Sequence, residues 1–580
     1  MTDAGTWWLK GAWLDMGLGA ALVSVIETVC RRYRTQRDAP PLRILTHART
    51  GLIRKNETLA FLPLFETRSV TRPYHLDSYD DDGLNRLCEM SHVYRAVTIE
   101  RYLSDLTRLQ VAEPLGQALA RCYWRAWYQP GHLPDAHVFY VDMHDKVIWT
   151  NQPSPVGFVS ALHEVHACLK QAFVHGRGGH ALFCRTYAAD VHLNEVVVAM
   201  AQALEQAIGR PVIQVIVTDR EGLAVEVLRT LALKHKGFVA LLKANQYRSE
   251  ADFVRRGRFR QIRDSRTGQV THRVADADFQ LAPDLGVRAA LLYDLERPEH
   301  LIGLITTVSR QQEPDIRRVV GWYLARWNAQ ENSFRALIAF GQINTNFGLR
   351  VKQSVPDRRV AKQIADLTNH LHAVTHKLET KIAQLAEQAH RMGKQTVRHN
   401  QHVAKLLRPP RRGGPQAVGR AVKRQHDLQD EQARHQRRLL KQVKRQATLE
   451  REIEAHRQEQ TRVARDLSQL NPQATFFEVD TEKDQIVAHL RIALHNSALW
   501  ARDRYFGAIY RYATPLTLWR LFFNQDGFYS ETSDRIVITL KPFGTTRLQQ
   551  EAAAACQSFN QRRIRTHSGK LIEMRIVESI

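Results

Sequence analysis

Apolar positions in the first part of the chain recur at helical spacing. The steps of three and four run through Leu14, Leu18, Leu22 and Val25. Because Asp15 and Glu27 interrupt this apolar stretch, a buried amphipathic helix fits it better than a membrane span. Similar patterns continue through residues 1–130, which we predict to be a helical N-terminal region.

One part of that region has the spacing of a helix-turn-helix. A short helical pattern over Leu84–Ser91 precedes a polar turn and a second helix over Thr98–Leu103. In this interpretation Arg95, Thr98 and Arg101 face DNA. Two ordinary packed helices are the alternative, and the sequence leaves both open.

Strand-like and helical patterns alternate over residues 131–350. The apolar run His137–Val141 ends on Asp142, and Lys146–Thr150 has the pattern of its hairpin partner. A second buried-type strand, Val212–Thr218, ends on Asp219. Hairpins followed by strand–helix units predict a multidomain protein whose catalytic domain is an α/β sheet of the RNase H-like kind.

The end of this domain has two further features. Residues 245–310 are rich in strand-forming patterns and predict a β-rich insertion. A long helix is then predicted over Asp315–Phe340.

Two more regions follow. Residues 355–472 are basic, with apolar residues at coiled-coil spacing, and Arg408–Pro415 cannot continue a helix. We therefore predict an antiparallel coiled-coil hairpin whose returning helix carries Leu440, Val443, Ile453, Val463 and Leu467. Residues 473–580 regain strand patterns and aromatics, which predicts a small α+β unit. Asp480 and Asp484 in this unit are interpreted as a capping and a surface acid.

Composition indicates a polyanionic partner. The 580 residues contain 83 Lys and Arg against 59 Asp and Glu, a net charge of +24. Such an excess favours binding to nucleic acid, because neutralised phosphates release counterions. The six cysteines form no Cys-x-x-Cys pair, so a reducing cytoplasm fits better than a disulfide framework.

Asp142 and Asp219 are the first candidate catalytic residues. Each follows an apolar strand, and the carboxyl ends of strands border the crevice where α/β proteins bind ligands. Two such carboxylates on neighbouring strands can share Mg²⁺ or Mn²⁺, which prefer oxygen ligands. Either aspartate alone is also typical of an ordinary turn. Asp145 is a rival to Asp142, which we prefer because the apolar run stops there.

A third candidate, Glu331, lies inside the predicted long helix. A spacing of four places Tyr323, Trp327, Glu331 and Arg335 on one stripe of that helix. An acid and an arginine at this spacing can form a simple surface pair. Two aromatic residues on the same stripe argue against a solvated face.

These residues resemble a signature of known enzymes. Tyr323-x-x-Arg326-Trp327, then Glu331 and Phe334-Arg335, is similar to the Tyr-Arg-Glu signature of bacterial insertion-sequence DDE transposases. Asp142, Asp219 and the β-rich insertion resemble the corresponding parts of that group. One departure concerns spacing, since the stricter signature has its Glu four residues after the Arg, where this chain has Gln330.

The resemblance implies metal-dependent DNA cleavage at element ends and strand transfer into target DNA. Asp142, Asp219 and Glu331 would be the catalytic residues and would bind two Mg²⁺ or Mn²⁺ ions. The implied DNA contacts are Tyr323, Arg326, Arg335 and Arg220. The implied partner is double-stranded DNA, bound by a homodimer at the nucleoid of a bacterial cytoplasm. Neither a membrane nor a nucleotide cofactor is expected.

Three other functions remain open at this point. The chain could be a DNA-binding protein derived from a transposase without catalysis. It could be a structure-specific nuclease of the RNase H-like kind. It could also be an RNA-binding or ribosome-associated protein that uses only its basic hairpin.

Overall fold

The computed structural model describes most of the chain. The described residues are 1–37, 39–68, 71–79, 81–129, 135–149, 154–264, 267–348, 350–356, 358–408 and 417–577. Contacts divide the chain into two compact units, Met1–Gln353 together with Phe477–Ile580, and Ser354–Phe476. The predicted hairpin tip beyond Arg408 and the last residue of the predicted strand Lys146–Thr150 lie outside the described residues.

Helices dominate the first part of the larger unit. They are α1 (Trp7–Asp15), α2 (Leu18–Arg34), α3 (Arg49–Phe61), α4 (Gly83–Leu87), α5 (Ala96–Arg108) and α6 (Ala112–Trp127). The single amphipathic helix expected near the N-terminus is divided, because Gly17 adopts a positive φ of 70° between α1 and α2. No single described helix is long and apolar enough to cross a membrane, although Ala4–Asp15 and Leu18–Arg34 together, bent by 54°, pass that test of length and composition.

A large mixed sheet follows. Its strands are β1 (Val138–Val147), β2 (Val156–Val159), β3 (Glu164–Gly176), β4 (Ala181–Ala188), β5 (Val215–Val217), β6 (Gly237–Leu241), β7 (Phe253–Arg255), β8 (Arg260–Arg263), β9 (Val270–Ala282), β10 (Leu285–Asp294) and β11 (Leu301–Thr306). Helices α7 (Leu193–Ile208) and α8 (Val225–Leu233) connect β4 to β5 and β5 to β6. The predicted β-rich stretch is thus present as β7–β11, which continue the same sheet.

At the centre of the sheet, β1, β5 and β6 are parallel neighbours, and β3 pairs antiparallel with β1. The predicted hairpin between His137–Val141 and Lys146–Thr150 is wrong. β1 is one continuous strand, and its register with β3 extends from Phe139 opposite Gly176 to Val147 opposite Cys168. The polar residues after Val141 do not form a turn, because β3 supplies partners for their backbone groups.

Both faces of the central sheet are covered. Val138 and Tyr140 belong to an apolar cluster that includes Val217 and Trp322, whereas Phe139 lies in the main core with α6 and α7. Trp322 belongs to α9 (Ile316–Leu324), which is followed by a π turn and by α10 (Asn332–Ala339). The single long helix predicted over Asp315–Phe340 is therefore interrupted.

The smaller unit contains two long antiparallel helices, α11 (Arg358–Leu406) and α12 (Ala417–Ser468). Ile453 and Val463 are buried, as expected for a seam between helices. Leu440 and Val443 do not belong to such a seam, because more than half of each side chain's surface is exposed. The strands β12 (Arg350–Pro356) and β13 (Thr475–Asp480) lie where the units adjoin in sequence.

The last part of the chain returns to the larger unit. Its elements are α13 (Glu482–Ala501), α14 (Pro515–Leu518), β14 (Gly527–Glu531), β15 (Arg535–Leu540), α15 (Thr546–Gln561) and β16 (Leu571–Ile576). Trp8 of α1 packs against Phe506, Phe522 and Phe523, so the two ends of the chain share one core. The protein is a mixed α/β molecule with a large mixed sheet, and the four-part division by residue number stays a prediction.

Candidate active site

Asp142 lies in the middle of β1 rather than at its end. It points to the same sheet face as Val138 and Tyr140, because alternate residues of a strand share a face. The Tyr140 hydroxyl donates a hydrogen bond to the backbone oxygen of Trp322, 3.0 Å away, which joins this face to α9. Only 15% of the Asp142 side chain is exposed.

Asp219 lies two residues beyond Val217, the last residue of β5, which is the strand next to β1. In the parallel register of β1 and β5, Tyr140 lies opposite Val217, so Asp142 and Asp219 come level two residues later. Neighbouring strands are about 4.8 Å apart, so this register brings Asp219 close to Asp142. The Asp219 side chain also accepts a hydrogen bond from the backbone N–H of Glu221 and so fixes the turn after β5.

A π turn over Trp327–Glu331 brings the third acid to Asp142. Arg326 Nη2 lies 2.8 Å from Asp142 Oδ2 and 3.2 Å from Glu331 Oε1. In a π turn, the residue five positions on takes the place that the fourth holds in an α-helix. The π turn therefore compensates for the spacing of five residues, instead of four, between Arg326 and Glu331. As a result, Glu331 and Asp142 contact the same guanidinium.

The neighbourhood of Arg326 determines the charge state of this cluster. Burial raises the pKa of Asp142 to about 6, although Arg326 opposes the shift and Asp219 adds to it. Burial acts to lower the pKa of Arg326, but Asp142, Tyr323 and Asp219 raise it above its ordinary value. Arg326 therefore stays charged, and it is the cation that holds these carboxylates together.

Asp145, the rival for the first acid, is oriented away from this cluster. It is three residues from Asp142 and so lies on the opposite face of the sheet. Its carboxylate pairs with Lys170, its partner in the register of β3, and accepts a hydrogen bond from the backbone N–H of Ser160 at 3.3 Å. Asp142, rather than Asp145, shares the Arg326 guanidinium with Glu331.

The proposed DNA contacts on α9 and its neighbours have different surroundings. Burial raises the pKa of Tyr323, while Arg326 lowers it and Asp219 raises it further. Arg220 is exposed in the turn after Asp219. Arg335 is also exposed, and its guanidinium carbon lies 5.2 Å from the centre of the Trp327 ring.

The predicted helix-turn-helix residues belong to another part of the molecule. Arg95 and Arg101 are exposed and Thr98 is half-buried, and all three lie at or within the first half of α5. Within the described residues, none of them contacts the carboxylate cluster. Their role in DNA recognition stays a prediction.

Sequence reasoning did not single out two residues that lie close to Asp142 or Arg326 in the fold. Gln330 is fully buried, and its Oε1 accepts a hydrogen bond from Arg326 Nε at 2.8 Å. His144 follows Asp142 by two residues on the same face, and its Nε2 lies 2.6 Å from Asn344 Oδ1. Strand alternation could have identified His144 once β1 was known to continue. No sequence signal distinguished Gln330 from a simple departure.

The site has the donor chemistry of a divalent-metal site but holds an arginine. In the described part of the chain, no group of three or more His, Cys, Asp or Glu residues is close enough together to hold a metal ion. Instead, the Arg326 guanidinium contacts both Asp142 and Glu331. A cation thus already lies between two carboxylates, and their hard oxygen atoms fit Mg²⁺ or Mn²⁺.

Comparisons with known proteins add a weak structural likeness. No family model matches the sequence, and no curated protein matches it. Among solved structures, the chain is similar to piggyBac transposase in a cryo-EM structure of its synaptic complex with hairpin DNA. That similarity has a TM-score of 0.30 and 11% sequence identity, over 58% of this chain and 68% of that chain. Similarity at this level does not assign the protein to a family.

Proposed function

We propose that this protein is a DDE transposase, which cuts DNA at element ends and joins it to target DNA with the help of divalent metal ions. The observation that supports this most directly is that Asp142 and Glu331 share the Arg326 guanidinium, with Asp219 following the adjacent strand. Asp142 and Asp219 are level on parallel strands, and the π turn brings Glu331 to the guanidinium that Asp142 contacts. Hairpin strands followed by strand–helix units support the RNase H-like interpretation of the sheet.

In this proposal Asp142, Asp219 and Glu331 hold the metal. Two bound Mg²⁺ or Mn²⁺ ions would lower the pKa of an attacking water and stabilise the leaving oxygen. Arg326 neutralises the acids when the metal is absent and can exchange a carboxylate for a DNA phosphate when it is present. Gln330 keeps the guanidinium oriented through its Nε. In this proposal Tyr323 and Arg220 contact the DNA strand near the same acids.

The proposed partner is double-stranded DNA, at the ends of the element and at the target. Two ends must be joined in one event, so we propose that a homodimer forms on DNA. The proposed location is the nucleoid of a bacterial cytoplasm.

The test is metal-dependent cleavage of duplexes made from the DNA that flanks the coding sequence. Wild-type protein should nick them with Mg²⁺ or Mn²⁺, and Asp142→Asn or Asp219→Asn should reduce cleavage to background. Asp145→Asn is the matched control, because it removes an acid from the same strand but from the opposite face. Electrophoresis of end-labelled strands measures cleavage, and a mobility shift with EDTA measures binding. Full cleavage by Asp142→Asn would contradict the assignment.

A DNA-binding protein without catalysis is the second candidate. The Arg326 contacts favour it, because a side chain that neutralises Asp142 and Glu331 competes with a metal for the same oxygen atoms. This candidate predicts tight binding to the element ends and no cleavage with either metal. Loss of the Arg326 guanidinium, as in Arg326→Gln, would then leave both results unchanged.

A further inference from the structure

Charge is unevenly distributed along the two helices of the smaller unit. Residues 391–445, called the distal half, comprise the segment that joins the two helices and the part of each helix next to it, and they contain 16 Lys and Arg against three Asp and Glu. Residues 358–390 and 446–468, the basal half, contain nine Lys and Arg against eight Asp and Glu. The distal half therefore carries more than half of the net charge of the whole chain, and the basal half is almost neutral.

The basal half has the features of a packed helix pair. Its buried apolar side chains are Val374, Leu378, Leu449, Ile453 and Val463. Lys381 Nζ lies 2.7 Å from Glu452 Oε2, and His370 Nε2 lies 3.2 Å from Glu459 Oε1. Buried apolar side chains and ion pairs between the helices hold α11 and α12 together in the basal half.

The distal half differs in its packing, although His399 Nδ1 lies 3.8 Å from Glu431 Oε1 between the helices. His399 stacks on His435 with ring centres 3.8 Å apart, and Gln442 Nε2 donates to Gln395 Oε1 at 2.6 Å. Its exposed large apolar residues are Val397, Leu407, Val422, Leu440 and Val443. Packing between the helices does not explain the basic residues of this half, since they point to solvent.

Those basic residues form a stripe on each helix. On α11 the stripe is Arg391, Lys394, Arg398, His402 and Lys405. On α12 it is Arg434, Arg437, Arg438, Lys441, Lys444 and Arg445. Steps of three and four keep each set on one helix face. All are exposed, and in the described part of the chain only Arg391 and Arg434 have an acid partner, Glu387 and Asp430.

We propose that the two basic stripes of the distal half bind the sugar-phosphate backbone of duplex DNA without regard to sequence, outside the carboxylate site. Unpaired cations in a row gain free energy from a polyanion through counterion release. The distal part of α12, residues 417–445, is about 43 Å long at 1.5 Å per residue, longer than the ~34 Å of one turn of B-DNA. The choice of DNA as the polyanion rests on the proposed function.

The experiment compares two variants of the full chain that lose the same charge. The distal variant carries Arg437→Gln, Arg438→Gln, Lys441→Gln and Lys444→Gln. The basal variant carries Arg451→Gln, Arg457→Gln, Arg462→Gln and Arg465→Gln, which are exposed residues of the same helix. Binding to a labelled random-sequence duplex is measured by fluorescence anisotropy with EDTA over a range of salt concentrations.

The distal variant should reduce the slope of log K against log salt by about 3 to 4, since each phosphate contact contributes about 0.9. Its affinity near 0.1 M salt should fall about a hundredfold or more, while the basal variant stays within about threefold of wild type. Equal slopes for the two variants would overturn the proposal. A change in the sedimentation mass of the distal variant without a change in its salt slope would also overturn the proposal, because it would indicate that the stripes contact a second copy of the chain.

This experiment is separate from the test of catalysis. EDTA removes the metal, so DNA binding is measured whether or not the three acids cut DNA. A normal salt slope for Asp142→Asn together with a reduced slope for the distal variant would support the distal surface even if cleavage were never observed.

Discussion

Glu331→Gln should lower the rate of DNA strand cleavage about a thousandfold. The amide cannot carry the negative charge that a metal ligand supplies, and metal stabilisation of the reacting charges amounts to several kcal/mol. Each ~1.4 kcal/mol corresponds to a factor of ten in rate. Binding to DNA should change little, because Arg326 keeps its contacts with Asp142 and Gln330. End-labelled cleavage in single turnover measures the first effect and anisotropy the second.

Deletion of Gln330 tests whether the extra residue of the π turn is needed to place Glu331 beside Arg326. Removing one residue from a π turn gives an α turn, which leaves the phase of α9 and α10 unchanged. Glu331 then follows Arg326 by four residues and stays on the same face. We expect cleavage within about tenfold of wild type, the loss arising from the missing Arg326–Gln330 hydrogen bond.

Gln330→Ala is the control for that hydrogen bond, because it removes the amide and keeps the π turn.

Two outcomes would contradict these predictions. Cleavage at the wild-type rate by Glu331→Gln would show that Glu331 is not the third acid. A deletion variant that folds and binds DNA but has lost cleavage completely would show that the extra residue does more than adjust the register.

Asp484→Ala should lower the free energy of unfolding by about 3–5 kcal/mol, the cost of breaking a buried ion pair on one side. Asp484 is 6% exposed, and its carboxylate pairs with the buried Lys146 of β1. It also accepts hydrogen bonds from Gln171 Nε2 at 2.7 Å and Thr186 Oγ1 at 3.2 Å. Its loss leaves a buried ammonium without an anion. Urea unfolding followed by Trp fluorescence measures the change.

Asp284→Ala is the matched control, because Asp284 pairs with Arg229 at 2.6 Å while 68% of its side chain is exposed. Solvent screens such a pair, so the expected loss is below about 1 kcal/mol. The double variant Lys146→Met, Asp484→Leu should recover part of the stability that Asp484→Ala loses, because it buries no unpaired charge. An Asp484→Ala variant as stable as the control would contradict the role given to this pair.

Asp484 also illustrates a wrong inference from sequence. The sequence pattern predicts a surface acid at this position, yet Asp484 lies at the start of a helix that is buried along nearly its whole length. The charge is accommodated only because β1 and β3 bring Lys146 and Gln171 to it. Partners separated by more than 300 residues leave no local pattern in the sequence.

The sequence by itself determined the chemistry available to the protein. Alternating and apolar runs predicted the strands that carry Asp142 and Asp219, and helical spacing placed Glu331 near Arg326. Local periodicity is sufficient for such predictions, because burial of one face selects apolar residues at every second, third or fourth position. Charge and the Tyr-Arg-Glu motif then indicated DNA and metal as the partners to test.

Tertiary structure decided how these residues meet. Pairing with β3 kept β1 extended beyond Asp142, parallel pairing with β5 brought Asp219 level with it, and a π turn rotated Glu331 toward Arg326. Backbone hydrogen bonds to distant strands and an additional residue in one helical turn shift side chains by several ångströms without altering local hydrophobic periodicity. For that reason the sequence was sufficient to propose the three acids, whereas the contact of Asp142 and Glu331 with the same Arg326 guanidinium could not be predicted from it.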